Sequence, residues 1–318
     1  MAAVRNWFFL SVTLVACASA ADVVRTGDPA KRGLQPDDLP RTVKVAENVY
    51  TYEGYHPGAD VFTTTNLFVV TREGVLVADG QATPAQTRAL VEAIAKVTPQ
   101  PIRYVVIGSD HPDHAGGNSA FPPGVTWLVH PAAKAILDAQ AGGSWRPPSD
   151  AVVVPDEITL RPGGTEIRVQ FLGRAHNSGP LTVYLPAENI LYLSEIFINH
   201  LFPQFRTGYP SEWSKTLEKA EKIDARVVIP GHGFTEEGGV SRGELLAFHA
   251  AVQYVTAEAT RLYRAGIPLE DAVKQANWGP YAAWTGDGTP SGSPSPRIAD
   301  MGPAAVRRVY EELSGKLK

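Results

Sequence analysis

Two histidines and several oxygen-bearing side chains follow a predicted buried strand within six positions. The strand runs from Arg103 to Ile107 and leads into Gly108-Ser109-Asp110-His111-Pro112-Asp113-His114. Loops at strand ends are where open metal sites are usually built. Zinc binds histidine nitrogen and aspartate oxygen, and a catalytic zinc site keeps one position free for water. Other borderline metals suit the same ligand types. The segment therefore predicts part of a metal site.

Three later segments also place a ligand-type residue directly after a predicted strand. They contain His176 in Gly173-Arg174-Ala175-His176, Glu195 after Ile190–Ser194, and His232 in Pro230-Gly231-His232-Gly233. A histidine after a strand is common, so each segment alone is a weak signal. Four such strand ends in this order are a strong one, because a packed core seldom collects so many ligand types there.

The order of these motifs resembles the metallo-β-lactamase superfamily. That pattern is H-x-H-x-D-H, then a histidine in G-x-x-H-x-x-G, then an aspartate after a strand, then a histidine in P-G-H-G. Asp79 in Val77-Ala78-Asp79-Gly80 and the pair Tyr209-Pro210 match supporting features of the family. The resemblance covers about residues 45–235 and implies an αββα sandwich, an α/β fold of four layers, with the metals at one edge of two sheets. It implies these metal ligands: His111, Asp113, His114, His176, Glu195 and His232.

Two positions depart from the family pattern. Ser109 replaces the first histidine, and Glu195 replaces the bridging aspartate. The set that the family uses for its second metal, Asp113, His114 and His232 with Glu195 beside it, is complete. The first set keeps only His111 and His176 plus whatever Glu195 adds. We therefore expect one tightly bound zinc ion and a weaker or empty first site. Two alternatives stay open: the longer Glu195 restores the first site, or Ser109 bonds a metal-bound water.

This ligand set predicts a zinc-dependent hydrolase. Zinc lowers the pKa of bound water to about 7, so hydroxide is available to attack a small carbonyl substrate such as a lactam, lactone, ester or thioester. Asp113 is the expected catalytic residue, because it can orient that water and accept its proton. Ser178 is not in a G-x-S-x-G elbow, which argues against a serine hydrolase. The alternative is a non-catalytic metal- or cofactor-binding accessory protein of the kind associated with quinoproteins.

Composition limits the partners. The 318 residues are 44% hydrophobic and 19% charged, which allows a packed core, and the formal net charge is -4. The absence of a basic surplus argues against nucleic-acid binding and against a nuclease of this superfamily. The expected partner is a small-molecule substrate, and the sequence leaves the oligomeric state open.

The first 20 residues have the pattern of a signal peptide. Arg5 precedes an apolar run of about ten residues, and Ala18-Ser19-Ala20 is a small-x-small cleavage site. Cys17, the only cysteine, also fits a bacterial lipoprotein motif, so lipid anchoring is the alternative to a periplasmic or secreted protein. No later stretch is long and apolar enough to span a membrane.

The remaining chain reads as an N-terminal arm (21–42), a metallo-β-lactamase-fold domain (43–240) and a helical C-terminal extension (241–318). Thr83 and Pro84 are expected to begin one helix, Ser211 to cap a second, and Gly266 to end a third. A last helix is expected from about Pro303, after a mobile loop at 285–296. The predicted strands are Leu67–Val70, Val75–Ala78, Arg103–Ile107, Thr126–Val129, Ala151–Val154, Ile167–Phe171, Leu181–Leu185, Ile190–Leu193 and Arg226–Ile229.

The other histidines match no ligand position. His249 lies among apolar helix residues and is expected to be packed, and His130 is expected to be structural or exposed. We assign no role to His56. His200 is a candidate substrate contact, because the aromatic-rich segment 197–209, with Phe205 and Tyr209, could line the pocket. Asp110 is expected to stabilise its own loop.

Overall fold

The computed structural model describes residues 24–56, 62–140, 150–237, 239–284 and 296–317, with side chains from 301 onward in the last range. The expected signal peptide and the loop at 285–295 lie outside these residues. Seven strands form the first sheet in sequence order, antiparallel from the first to the fourth and parallel thereafter. They are β1 (Arg41–Ala46), β2 (Val49–His56), β3 (Phe62–Thr71), β4 (Gly74–Ala78), β5 (Ile102–Val106), β6 (Thr126–Val129) and β7 (Val152–Val153).

Five strands form the second sheet, in the order β12-β11-β10-β9-β8. Only the pair β11 and β12 is parallel among them. Their bounds are β8 (Glu157–Leu160), β9 (Ile167–Phe171), β10 (Leu181–Leu185), β11 (Ile190–Tyr192) and β12 (Val227–Ile229). Nine of the strands in the two sheets were expected, and their bounds agree to within one residue, except that β3 begins at Phe62, five residues before its expected start. The strands β1, β2 and β8 were not among those expected.

Helices cover the outer face of each sheet. Their bounds are α1 (Pro84–Val97), α2 (Pro112–Ala115), α3 (Pro131–Ala139), α4 (Pro210–Glu221), α5 (Val240–Arg264), α6 (Leu269–Gln275) and α7 (Pro296–Leu313). None of the helices described is long and apolar enough to cross a bilayer.

The side chains of each strand alternate between the two faces of its sheet, and this alternation separates the layers of the fold. On β3, Leu67 and Val69 point into the core between the two sheets, while Phe68 points into the core under α1 and α3. Successive side chains of a strand face opposite sides, so a strand buried on both faces is apolar throughout. A third core packs α4, α5 and α7 on the second sheet. The predicted αββα sandwich is confirmed.

The helix starts were predicted with mixed success. Thr83 caps α1, its hydroxyl accepting from the Gln86 amide at 3.2 Å, as expected. The prediction that Ser211 caps α4 was wrong: Tyr209 is the cap and Pro210 takes the first helical position, where a proline needs no N–H partner. The hydroxyl of Ser211 instead donates to Glu312 of α7 at 2.9 Å.

The C-terminal segment is helical, as expected. Gly266 follows the end of α5 with a φ of +70°, a conformation that glycine adopts without strain. The expected start of α7 at Pro303 was wrong, because the helix begins at Pro296 and runs through Pro303. A proline inside a helix removes one hydrogen bond and is disfavoured. Buried contacts of Met301, Val306 and Val309 on the rest of the fold offset that cost.

Candidate metal centre

The loop after β5 is held by a buried carboxylate. Oδ1 of Asp79, at the end of β4, accepts hydrogen bonds from the amides of Gly108 and Ser109 at 2.7 and 3.1 Å. The single turn of α2 then begins at Pro112 and carries Asp113 and His114. Adjacent parallel strands thus fix the loop that supplies three of the predicted ligands.

The structure brings all six predicted ligand residues together at one edge of the two sheets. They form two groups that share Glu195: His111, His176 and Glu195 in the first, and Asp113, His114, Glu195 and His232 in the second. Within each group the candidate ligand atoms lie within 4.8 Å of one another. The loops after β5, β9, β11 and β12 deliver these side chains from both sheets.

In the first group the Glu195 carboxylate lies against two imidazoles. Oε2 of Glu195 is 2.7 Å from Nδ1 of His111, and Oε1 is 3.0 Å from Nε2 of His176. Ser109, at the position of the family's first histidine, donates its hydroxyl to Oε2 of Glu195. Ser109 therefore contacts the shared carboxylate.

In the second group Nε2 of His232 is central. It lies 3.3 Å from Nε2 of His114, 3.3 Å from Oδ2 of Asp113 and 3.1 Å from Oε1 of Glu195. His114 lies somewhat further from the two carboxylates, at 3.9 Å from each.

Each of the four histidines uses its other ring nitrogen for a hydrogen bond outside the cluster. His114 Nδ1 donates to Oδ2 of Asp79 at 3.1 Å. The Nδ1 atoms of His176 and His232 donate to the backbone carbonyls of Gln204 and Thr63, at 2.6 and 2.9 Å. His111 instead turns Nδ1 inward, and its Nε2 lies 3.1 Å from the Thr207 hydroxyl. Such partners fix the tautomer and orientation of a metal-binding histidine.

The cluster has the electrostatics of a cation site. Burial alone would raise the pKa of Glu195, but His176, His111 and His114 hold it well below its usual range. Burial alone would lower the pKa of His111 and of His114. The surrounding carboxylates, Glu195 and Asp79 foremost, instead raise the pKa of His111 to about 9 and that of His114 to about 10. The buried carboxylates thus create a field that favours positive charge.

These residues fit a zinc ion. Ligand atoms of a tetrahedral zinc with bonds of about 2.0–2.1 Å lie roughly 3.3 Å apart. The separations from Nε2 of His232 to the other three ligand atoms of the second group, 3.1 to 3.3 Å, match that spacing. Nitrogen and carboxylate oxygen are also the donor types that zinc prefers. The second group supplies four donors and the first group three.

A cavity of about 510 Å³ opens over the cluster. Segment 197–209 lines it as expected, but through Gln204, Arg206 and Thr207 and not through its aromatic residues. Tyr209 borders the adjoining cavity instead. Phe205 is fully buried against Trp213, since a large ring gains more from the core than from a wet surface. The cavity is lined by His56, Phe62, Ala82, His111, Pro112, Asp113, Glu195, Gln204, Arg206, Thr207, His232 and Met301.

Some residues that line the cavity were missed from the sequence, His56 and Met301 among them. His56 ends β2, stacks on Phe62 at 4.7 Å and lies 2.9 Å from the Thr64 hydroxyl. Burial lowers the pKa of His56 to about 4, so the ring is neutral at pH 7. Met301 comes from α7, some 70 residues after His232. No local sequence signal marks either position.

The remaining histidines are structural. His130 caps α3, accepting from the Ala132 amide, and stacks on Phe171 at 3.9 Å. His249 is buried between Glu221 and Ser214, as expected of a packed histidine. His200, the candidate substrate contact, lies instead beside Glu244 and Trp284 and is not among the residues that line the cavity.

Asp110 borders a second cavity of about 380 Å³ that adjoins the first. Burial raises the pKa of Asp110, whose side chain is almost fully enclosed. The carboxyl group makes a hydrogen bond to its own backbone, which agrees with the expected role in the loop. Its Oδ1 has no hydrogen-bond partner among the described residues.

The chain belongs to the metallo-beta-lactamase superfamily. The family model of that name matches residues 59–232, more than half of the chain, and spans the whole cluster. The match agrees with the two-sheet fold and with the position of the cluster at the sheet edge.

Individual relatives are distant. The chain is 25% identical to the metallo-beta-lactamase IND-1 of Chryseobacterium indologenes over 204 residues, which are 61% of this chain and 82% of that protein. A metallo-beta-lactamase from Pontibacter korlensis has a similar structure, with a TM-score of 0.60 and 22% identity over 67% of this chain and 98% of its own. A stereoselective inverting sec-alkylsulfatase from Pseudomonas sp. superposes with a TM-score of 0.65 and 16% identity. That similarity covers 89% of this chain and 51% of the sulfatase chain.

Proposed function

We propose that this protein is a zinc-dependent hydrolase of a small carbonyl compound: a lactam, lactone, ester or thioester. One observation carries the proposal. Six ligand-type side chains converge below an open cavity, and all four imidazoles turn one nitrogen inward while the other is hydrogen-bonded outside the cluster. A purely structural histidine cluster has no need of this shared arrangement. A metal site does, because it holds each ligand in one tautomer.

Asp113 is the proposed catalytic residue. Its side chain is 22% exposed, whereas that of Glu195 is 3% exposed, so Asp113 presents the accessible carboxylate of the second group. A carboxylate on the open side can orient a water molecule and accept its proton. Zinc, when bound, supplies Lewis acidity and makes hydroxide available at neutral pH.

The cavity wall is suited to a small polar molecule. Gln204, Arg206 and Thr207 line one part of it, and neutral His56 stacks on Phe62 in another. The volume of about 510 Å³ lies within the range of roughly 300–1,000 Å³ that is typical of small-molecule sites. A β-lactam is one member of the proposed class, supported by the similarity of the chain to metallo-beta-lactamases.

The test is hydrolysis by the zinc-loaded protein of a panel with one compound of each class: a chromogenic cephalosporin, a nitrophenyl ester, a lactone and a thioester. We expect at least one to be hydrolysed, the activity to disappear with a chelator and to return with zinc. A zinc-loaded protein that hydrolyses none of them would favour the non-catalytic metal- or cofactor-binding role instead.

We also propose export to the periplasm or the outside of the cell, based on the signal-peptide pattern of residues 1–20. Mass spectrometry of the protein recovered from its native host tests this. A chain beginning at Ala21 supports ordinary cleavage, a lipid-modified Cys17 supports anchoring, and an uncut chain contradicts both.

A further inference from the structure

Thr207 links two of the histidines in the first group. Its hydroxyl donates to the backbone carbonyl of His176 at 3.0 Å. The same oxygen lies 3.1 Å from Nε2 of His111. Because the hydroxyl proton is directed at His176, Nε2 of His111 must be the donor in the second bond. A histidine protonated at Nε2 leaves Nδ1, the atom facing Glu195, free to bind a metal.

The segment that carries Thr207 is fastened to the C-terminal helix. Arg308 of α7 donates from Nε to the carbonyl of Gly208 at 2.6 Å and from Nη2 to the carbonyl of Thr207 at 3.0 Å. The side chain of Arg308 is 18% exposed, and its guanidinium also lies over the ring of Tyr209. A planar guanidinium can fix two neighbouring carbonyls at once, which a lysine ammonium does less well.

α7 is in turn anchored to the fold at several points. Met301 is buried and also reaches the cavity wall. Glu312 accepts hydrogen bonds from the backbone amide and hydroxyl of Ser211 at the start of α4. The helix therefore has a defined position relative to the segment that follows Gln204.

We propose that α7 positions the metal-binding nitrogen of His111 through Arg308 and Thr207, so that zinc affinity at the first group depends on the C-terminal extension. This rests on the proposed function, in which the cluster holds zinc, with the first group as the weaker of the two sites. Arg308 and Thr207 are positioning residues. They hold the orientation and tautomer of a histidine that the sequence places about 100 residues away from Thr207.

The test measures zinc binding at the two groups by competition with a chelator. Thr207→Val keeps the shape of the side chain and removes the hydroxyl, and Arg308→Met keeps the length and removes the donors. We expect Thr207→Val to weaken the weaker zinc site by about 10–100-fold, the range typical for a lost partner of a metal-binding histidine, and to leave the tighter site unchanged. Arg308→Met should weaken the same site, whereas Thr207→Ser, which restores a hydroxyl, should bind zinc like the parent.

Matched controls come from the same residue types. Arg307→Met removes an exposed arginine that pairs with Glu270, and Thr182→Val removes a hydroxyl that donates to the carbonyl of Gln170. Neither should change zinc binding. Nitrogen NMR of the zinc-bound protein supplies a second readout. In the parent, His111 should carry its proton on Nε2. In Thr207→Val, the His111 signals should show a mixture of the Nε2-protonated and Nδ1-protonated tautomers.

The outcomes separate the two proposals. If the parent binds one or two zinc ions and both Thr207→Val and Arg308→Met bind zinc as the parent does, with the same His111 tautomer, the positioning role is wrong and the metal site stands. If the parent binds no zinc, the proposed function fails and the positioning role fails with it. If Arg308→Met does not fold, Thr207→Val decides, because it alters one hydroxyl at constant shape.

Discussion

The hydroxyl of Ser109 donates a hydrogen bond to Oε2 of Glu195, a residue 86 positions later in the chain. The amide of Asn177 donates to the same hydroxyl oxygen at 2.9 Å. The residue that replaces the family's first histidine is thus engaged with the residue that replaces its bridging aspartate. The two departures are structurally connected, because the shorter Ser109 leaves room for the longer carboxylate and orients it between the two ligand groups.

The two groups should bind zinc with unequal affinity. The second offers two imidazoles and two carboxylates, and the first only two imidazoles and the shared Glu195. We expect one zinc per chain to survive mild dialysis, measured by elemental analysis. His232→Ala should abolish this tight binding, whereas His176→Ala should leave it. Two zinc ions retained with equal affinity would show instead that Glu195 completes the first group.

Ser109→His should raise the zinc content toward two per chain. The substitution rebuilds a set of three imidazoles beside His111 and His176, which suits zinc. Elemental analysis of the dialysed variant measures this, and Ser109→Ala, which loses the hydrogen bond to Glu195 but adds no ligand, is the control. A histidine variant that still holds one zinc would mean that the fully buried position of Ser109 cannot accommodate the larger ring.

Asp113→Asn should lower kcat by at least ~10²-fold, the range for lost acid–base assistance. The amide keeps the size of the side chain but accepts no proton and is a poorer zinc ligand. Rates are compared per zinc-loaded molecule, since metal loss would imitate a catalytic defect. Asp138→Asn, a change in an exposed pair with Lys134, should have no effect. Full activity of the Asp113 variant at normal zinc content would rule out the proposed catalytic role.

Gly231→Ala should destabilise the protein by about 1–3 kcal/mol, the usual cost of an overpacked site. A Cβ there would come within 2.5 Å of the backbone carbonyl carbon of Ser194, directly before Glu195. Zinc affinity should fall as well, because the backbone movement that relieves this clash displaces both Glu195 and His232. Gly243→Ala on α5 has open space around it and should instead stabilise by up to ~1 kcal/mol. Thermal denaturation with and without zinc compares the two, and equal melting temperatures would contradict the expected clash.

Elements with strong local signals were predictable. Short runs of residues that favour strands marked the strands, and Thr83-Pro84 and Gly266 marked helix ends, because these preferences act within a few residues. Two helix starts were misplaced because contacts between distant segments determine them. Ser211 bonds Glu312 of another helix, and Pro303 lies inside a helix that tertiary packing continues. The aromatic residues near Phe205 carried no signal that distinguished a core position from a pocket wall.

The ligand types and their order were determined by the sequence itself, since each lies at the end of a strand whose hydrophobic pattern is local. Which nitrogen of each histidine faces the cluster was decided only by the tertiary structure. Thr63 bonds His232 from 169 positions away, and Thr207 bonds His111 from 96. The same holds for Met301 and Arg308, which reach the site from the last helix. Orientation depends on hydrogen bonds between segments that the folded sheets bring together, and those contacts have no fixed spacing along the chain.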